Sequence, residues 1–146
     1  MLVFLVLAFI PCIFAQAIDM DAWYAHLEVE TEKLWTSLDY NKNGQYDLHD
    51  VHQFIRDYDT DRDHQVTAKE FYFHFDMSEP ALARVHTGLF NEYDNDQNGV
   101  VTTSDIEAVY GKMDMDKDGT VNKAEFKEYY KNLLTLLYLI QFEEQT

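Results

Sequence analysis

Residues 114–125 read DMDKDGTVNKAE. Asp114, Asp116, Asp118, Thr120, Asn122 and Glu125 take positions 1, 3, 5, 7, 9 and 12 of this twelve-residue run, with Gly119 at position 6. Oxygen-bearing groups at alternate positions can wrap a hard divalent cation, and a closing glutamate can add two oxygens to the shell. Glycine at position 6 admits the positive φ of a sharp turn. Three clustered aspartates arise easily by chance. The glycine and the terminal glutamate at their offsets do not, so calcium is the predicted ligand of this run.

The same register recurs three more times. The first run, DYNKNGQYDLHD, offers Asp39, Asn41, Asn43, the Gln45 carbonyl, Asp47 and Asp50. The second, DTDRDHQVTAKE, offers Asp59, Asp61, Asp63, the Gln65 carbonyl, Thr67 and Glu70. The third, DNDQNGVVTTSD, offers Asp94, Asp96, Asn98, the Val100 carbonyl, Thr102 and Asp105. The first and third runs begin 55 residues apart, as do the second and fourth, and their apolar flanks keep register. Leu34, Trp35 and Leu38 answer to Leu89, Phe90 and Tyr93. Position 8 is always apolar: Tyr46, Val66, Val101 and Val121. That pattern suits short loop segments that pair edge to edge and cover a core.

The runs differ in quality. Asp50 and Asp105 are one methylene shorter than glutamate at position 12, which suits magnesium or weakens calcium at those two loops. The second run carries His64 where the others carry glycine, a strain of about 1 kcal/mol if the residue enters the left-handed region. The fourth is predicted to be the strongest site. Histidines are scattered, and no Cys, His and carboxylate cluster argues for zinc.

Helical periodicity is predicted over residues 21–38, 49–58, 69–77, 80–93, 103–113 and 123–142, with Ser78 as an N-cap before Pro80. The sequence resembles the EF-hand superfamily over nearly all of residues 25–135. That resemblance implies calcium binding, loops held between an entering and an exiting helix, paired loops, and often an apolar surface exposed on calcium binding. The expected fold is therefore all-α, a compact multi-helix EF-hand assembly with short paired loop segments. One departure stands out: loops one and two start only 20 residues apart, as do loops three and four. That leaves room for one shared helix of about 16 Å, placing adjacent loops at opposite ends. Loops two and three are expected to form the conventional pair, and loops one and four a second.

The rest of the chain bounds the function. Residues 1–17, MLVFLVLAFIPCIFAQA, combine an apolar run, Pro11 and small residues at Ala15 and Ala17, the pattern of a cleaved secretory signal. Its loss would remove Cys12, the only cysteine, leaving a secreted chain without thiol or disulfide. The remaining organisation is an N-terminal half over 18–78 and a C-terminal half over 79–146 that ends in a long helix. A net charge of −16 argues against nucleic acid as a partner. The last helix is almost continuously apolar from Leu133 to Phe142. Deep insertion between the halves, a homodimer or protein-target surface, and membrane contact are the alternatives. Its ten residues are too few to span a bilayer, and the acidic charge disfavours the membrane. No hydrolase elbow, phosphate loop or HExxH run occurs, so no enzyme is expected. The sequence points to a secreted calcium buffer or calcium-dependent interaction module. The alternatives are an acidic matrix protein handling calcium mineral, or a calcium sensor of the secretory lumen.

Overall fold

The computed structural model describes residues 20–74 and 80–143. The expected signal at 1–17, Ser78 as N-cap and the boundary between the halves at 78/79 lie outside them. Six helices and four two-residue strands follow one another: α1 (Met20–Leu38), β1 (Gln45–Tyr46), α2 (Leu48–Tyr58), β2 (Val66–Thr67) and α3 (Ala68–Phe73), then α4 (Pro80–Tyr93), β3 (Val100–Val101), α5 (Thr103–Met113), β4 (Val121–Asn122) and α6 (Lys123–Glu143). The 55-residue repeat maps α2 onto α5 and β1 and β2 onto β3 and β4 without a shift.

Shared helices dictate the pairing. Because α2 and α5 each carry a loop at either end, no loop can reach its nearest neighbour in sequence. β1 instead pairs antiparallel with β4 and β2 with β3, setting Tyr46 against Val121 and Val66 against Val101. The repeat exchanges these two sheets, so they are equivalent copies of one arrangement. All four position-8 side chains are buried. They close the two ends of a core that includes Trp35, Phe54, Phe71, Phe90 and Phe126. Phe126 meets Trp35 edge-on at 5.2 Å between centroids and lies 4.7 Å from Tyr130, joining the first helix to the last.

The halves diverge where the third and sixth helices leave their loops. The helix expected to reach residue 77 stops at Phe73, where the His74 amide turns back to the carbonyls of Phe71 and Tyr72. Phe71 is buried, but Phe73 is 78% exposed, so Phe71 enters the core and Phe73 does not. In contrast, α6 continues for 21 residues. Phe126, Tyr130, Leu134 and Tyr138 recur every fourth residue and are all buried. Trp23 of α1 stacks on Tyr138 at 4.0 Å and donates its indole N–H to Thr135 Oγ1 at 3.1 Å. Gly88 lets Leu137 lie against α4. The opposite side, with Leu136, Leu139 and Ile140, is exposed. Insertion and an open apolar face therefore coexist on one helix. Among the described residues no helix is long and apolar enough to cross a membrane.

A ladder of opposite charges fixes α1 against α6. Lys123 and Lys127 reach Glu32, while Lys127 and Lys131 reach Glu28. Hydrogen bonds from Lys127 and then Lys131 hold the Glu28 carboxyl at about 2, below its ordinary 4.5. A carboxyl lowered on folding stabilises the folded state above its unfolded value, and that contribution fades as pH falls from 4.5 toward 2. Replacing Glu28 and Glu32 together by glutamine should lower stability at neutral pH and flatten its acid dependence across this window. Urea unfolding at several pH values, with chelator present, checks the difference. Parallel curves for the two proteins would remove the ladder from the account.

Candidate metal centre

Each loop begins where a helix ends and closes where the next one starts. Asp59 and Asp114 are C-caps of α2 and α5, donating their amides to the carbonyls of Ile55 and Tyr110. Positions 9 and 12 fall on the N-cap and third residue of the exiting helix. Asp47 with Asp50, and Thr67 with Glu70, form reciprocal capping boxes. In loop four Asn122 Oδ1 accepts from the Ala124 and Glu125 amides, and Glu125 Oε2 accepts from the Asn122 amide. Residues read as ligands from their spacing thus also start the helices.

The first aspartate organises the turn. Asp114 accepts from the Asp118 amide at 3.2 Å and the Gly119 amide at 3.0 Å. Asp39, Asp59 and Asp94 accept from the amides at positions 5 and 6 of their own loops in the same way. Gly44, Gly99 and Gly119 have φ between +82° and +92°, and His64 takes the same region at +68°. Strain at His64 was legible from sequence. Positive φ at position 4 of every loop, in Lys42, Arg62, Gln97 and Lys117, was not.

Three carboxylate groups converge within 4.8 Å: Asp59 with Asp61 and Glu70, Asp94 with Asp96 and Asp105, and Asp114 with Asp116 and Asp118. Asp63 and Glu125 stand outside these groups. Asp63 accepts from the Gln65 amide, and Glu125 from the Met115 amide at 3.0 Å across the loop. Loop one has amide oxygens from Asn41 and Asn43 where loops two and four have carboxylates and loop three has Asp96 and Asn98, with Asp47 accepting from the Asn43 amide group at 2.8 Å. In loop three Thr102 donates its hydroxyl to Asp105 at 2.5 Å. No described cluster includes histidine. An all-oxygen donor set of this kind fits a hard cation, and calcium best by its tolerance of irregular shells.

Position 12 shows how environment divides the loops. Asp50 reaches the amides of Tyr40 at 2.8 Å and Asp47 at 2.9 Å, spanning its loop despite the shorter side chain. Burial nonetheless pushes its carboxyl up. Glu70 receives the amides of Thr60 and Thr67, each at 2.9 Å, and both threonine hydroxyls. The Thr67 amide above all holds Glu70 down at about 2 against desolvation. Thr60, at position 2, is a supporting residue that the ligand pattern does not flag. A carboxylate kept charged this firmly is ready for a cation; one raised by burial charges less willingly.

Residues 111–128 match the family model described as EF hand. The Calcium-binding protein G of Dictyostelium discoideum is 29% identical over 110 residues, covering 56% of this chain and 65% of that protein. The match therefore spans just under two thirds of the relative. No solved structure matches. The six helices and the family match make the fold an all-α EF-hand assembly, and together with the carboxylate groups they support an EF-hand calcium-binding protein.

Two substitutions separate the loops. Glu125→Gln keeps length and removes charge, and should weaken loop four about tenfold or more, a larger loss than Asp50→Asn causes in loop one. Site-resolved calcium titration by NMR checks the ranking, which equal losses would defeat. His64→Gly should relieve about 1 kcal/mol of left-handed strain and raise thermal stability. A variant that melts lower than the parent would show that the imbalance lies elsewhere.

Proposed function

We propose that this protein is a secreted, non-enzymatic calcium buffer or calcium-dependent interaction module. The convergence of three carboxylate groups, each inside a helix-capped loop of the EF-hand pattern, carries the reading. Asp59, Asp61, Asp63, Thr67, Glu70 and the Gln65 carbonyl would hold one ion. Asp114, Asp116, Asp118, Asn122, Glu125 and the Thr120 carbonyl would hold another. The loops closed by Asp50 and Asp105 are weaker calcium sites and the ones suited to magnesium. The name of the Dictyostelium relative agrees with calcium binding and says nothing of compartment. Secretion rests on the apolar run and small residues of 1–17, and N-terminal sequencing of secreted protein should find Ile18 first.

The exposed side of α6 favours the interaction module over a pure buffer. Leu136 is 55% exposed and Ile140 43%, beside the half-buried Leu133 and Leu137. Such a face suits a protein target or a second copy of the chain.

Calcium that binds the folded state alone must stabilise it by mass action, by about 2.7 kcal/mol at a hundredfold excess over Kd. Calorimetric titration of residues 18–146 with calcium, repeated with magnesium, should give the stoichiometry and separate the two kinds of loop. Chelator should lower the melting temperature. Unchanged stability and no calcium heat would sink the whole reading. A calcium-dependent rise in binding of an apolar reporter, reduced by Leu136→Ser, selects the interaction module; stabilisation without that rise selects the buffer.

A further inference from the structure

A cleft of about 500 Å³ opens between α2, the second loop and the beginning of α5. Its wall includes His52, Arg56, Arg62, His64 and Thr103, with Ile55 and Asp59 beneath. In a chain of net charge −16, two guanidinium groups and two imidazoles on one depression are a marked local reversal. Lys33, Lys112, Lys123, Lys127 and Lys131 are each paired with a glutamate. Among the described residues neither Arg56 nor Arg62 makes an ion pair, although carboxylates are abundant around them.

The repeat supplies an internal comparison. Moving 55 residues along the chain replaces His52, Arg56, Arg62 and His64 by Glu107, Gly111, Lys117 and Gly119, and moving back replaces Thr103 by Leu48. The equivalent region of the other half therefore keeps one cation and gains an acid. Cap and loop chemistry are common to both halves and do not require the difference. His64, moreover, sits at φ +68° where the other three loops use glycine. A side chain is kept at that position despite the strain.

We propose that this cleft binds a tetrahedral phosphate oxyanion through Arg56 and Arg62, with His52, His64 and Thr103 as supporting donors. Guanidinium forks match the paired oxygens of phosphate, and such charge-assisted bonds are directional. Thr103 is the first residue of α5, where amides lack intrahelical acceptors and the helix dipole favours an anion. Asp59 is the one opposing charge on the wall. Its oxygens are already engaged by the amides of Arg62 at 2.7 Å, Asp63 at 3.2 Å and His64 at 2.9 Å. The site needs no metal, but a cation in loop two would further shield Asp59.

The test is titration of the isotopically labelled protein with inorganic phosphate under chelator, and with methyl phosphate both under chelator and in calcium. Chloride at matched ionic strength is the control. A saturable one-to-one shift of the arginine Nε–H signals is expected. Tighter binding of inorganic phosphate assigns the free ion, and tighter binding of methyl phosphate assigns an ester. Arg56→Gln with Arg62→Gln should weaken binding at least about tenfold. Arg56→Lys with Arg62→Lys, which keeps charge but loses the fork, should recover only part of that loss. Lys117→Gln, at the repeat-equivalent position, should change nothing. All three altered residues are exposed, so helical content by circular dichroism should stay at the parental level. Absence of saturation in all three titrations overturns the proposal. So does parental affinity in the double glutamine variant, or an equal loss in Lys117→Gln.

Discussion

An α-helix of eleven residues is about 16 Å long, and that length governs this molecule. Both α2 and α5 have eleven residues and a loop at each end. A loop segment with one exposed edge needs another edge within hydrogen-bonding distance. The shared helix holds its own two loops too far apart to satisfy each other. The second edge must come from the other half of the chain. Once β1 takes β4 and β2 takes β3, the halves are bound at both ends and their apolar helix faces are closed together between them. The core is thus a consequence of loop spacing as much as of hydrophobic pattern.

The same economy governs the loops. Asp47, Thr67, Asp50 and Glu70 cap helices and also belong to the oxygen sets proposed to hold cations. Backbone amides already orient those oxygens, so a cation would meet much of its shell in place. The electrostatic burden is correspondingly large. Asp59, Asp61 and Glu70 face one another within 4.8 Å. Partial neutralisation by amide dipoles makes such proximity tolerable, and a divalent ion would remove the remaining repulsion.

The periodic part of this structure was readable from residues alone. Position-8 Tyr46, Val66, Val101 and Val121 marked the strands, and the 20-residue spacing between adjacent loops, which leaves room for only one shared helix, set their pairing. Helix boundaries next to the loops were equally plain, since ligand spacing marks them. Phe71, Tyr72 and Phe73 were not separable, because hydrophobicity does not say where a helix stops; the His74 amide does. The last helix was ambiguous for a related reason. An apolar run on all sides conceals which side is covered, and Trp23, more than a hundred residues distant, decides it by stacking on Tyr138. Ligand types were visible, whereas Thr60 and the position-4 backbone depend on hydrogen bonds and dihedral angles that a spacing pattern does not encode. The cationic cleft was hidden because Thr103 reaches it from the other half.

The nested pairing of strands also carries a kinetic meaning. β2 and β3 join residue 66 to 101, while β1 and β4 join 46 to 121. Closing the outer contact from an open chain encloses roughly twice the length, which adds about 0.6 kcal/mol of loop entropy. If the inner contact forms first, α2 and α5 become rigid arms and the outer strands are brought together with little further search. The chain then folds as a zipper that starts at its middle, its effective contact order falling with each step. On that order the outer sheet, which ties together the first and last loops, would close last, with α1 and α6 meeting through Trp23, Tyr138 and the Glu28 and Glu32 ladder.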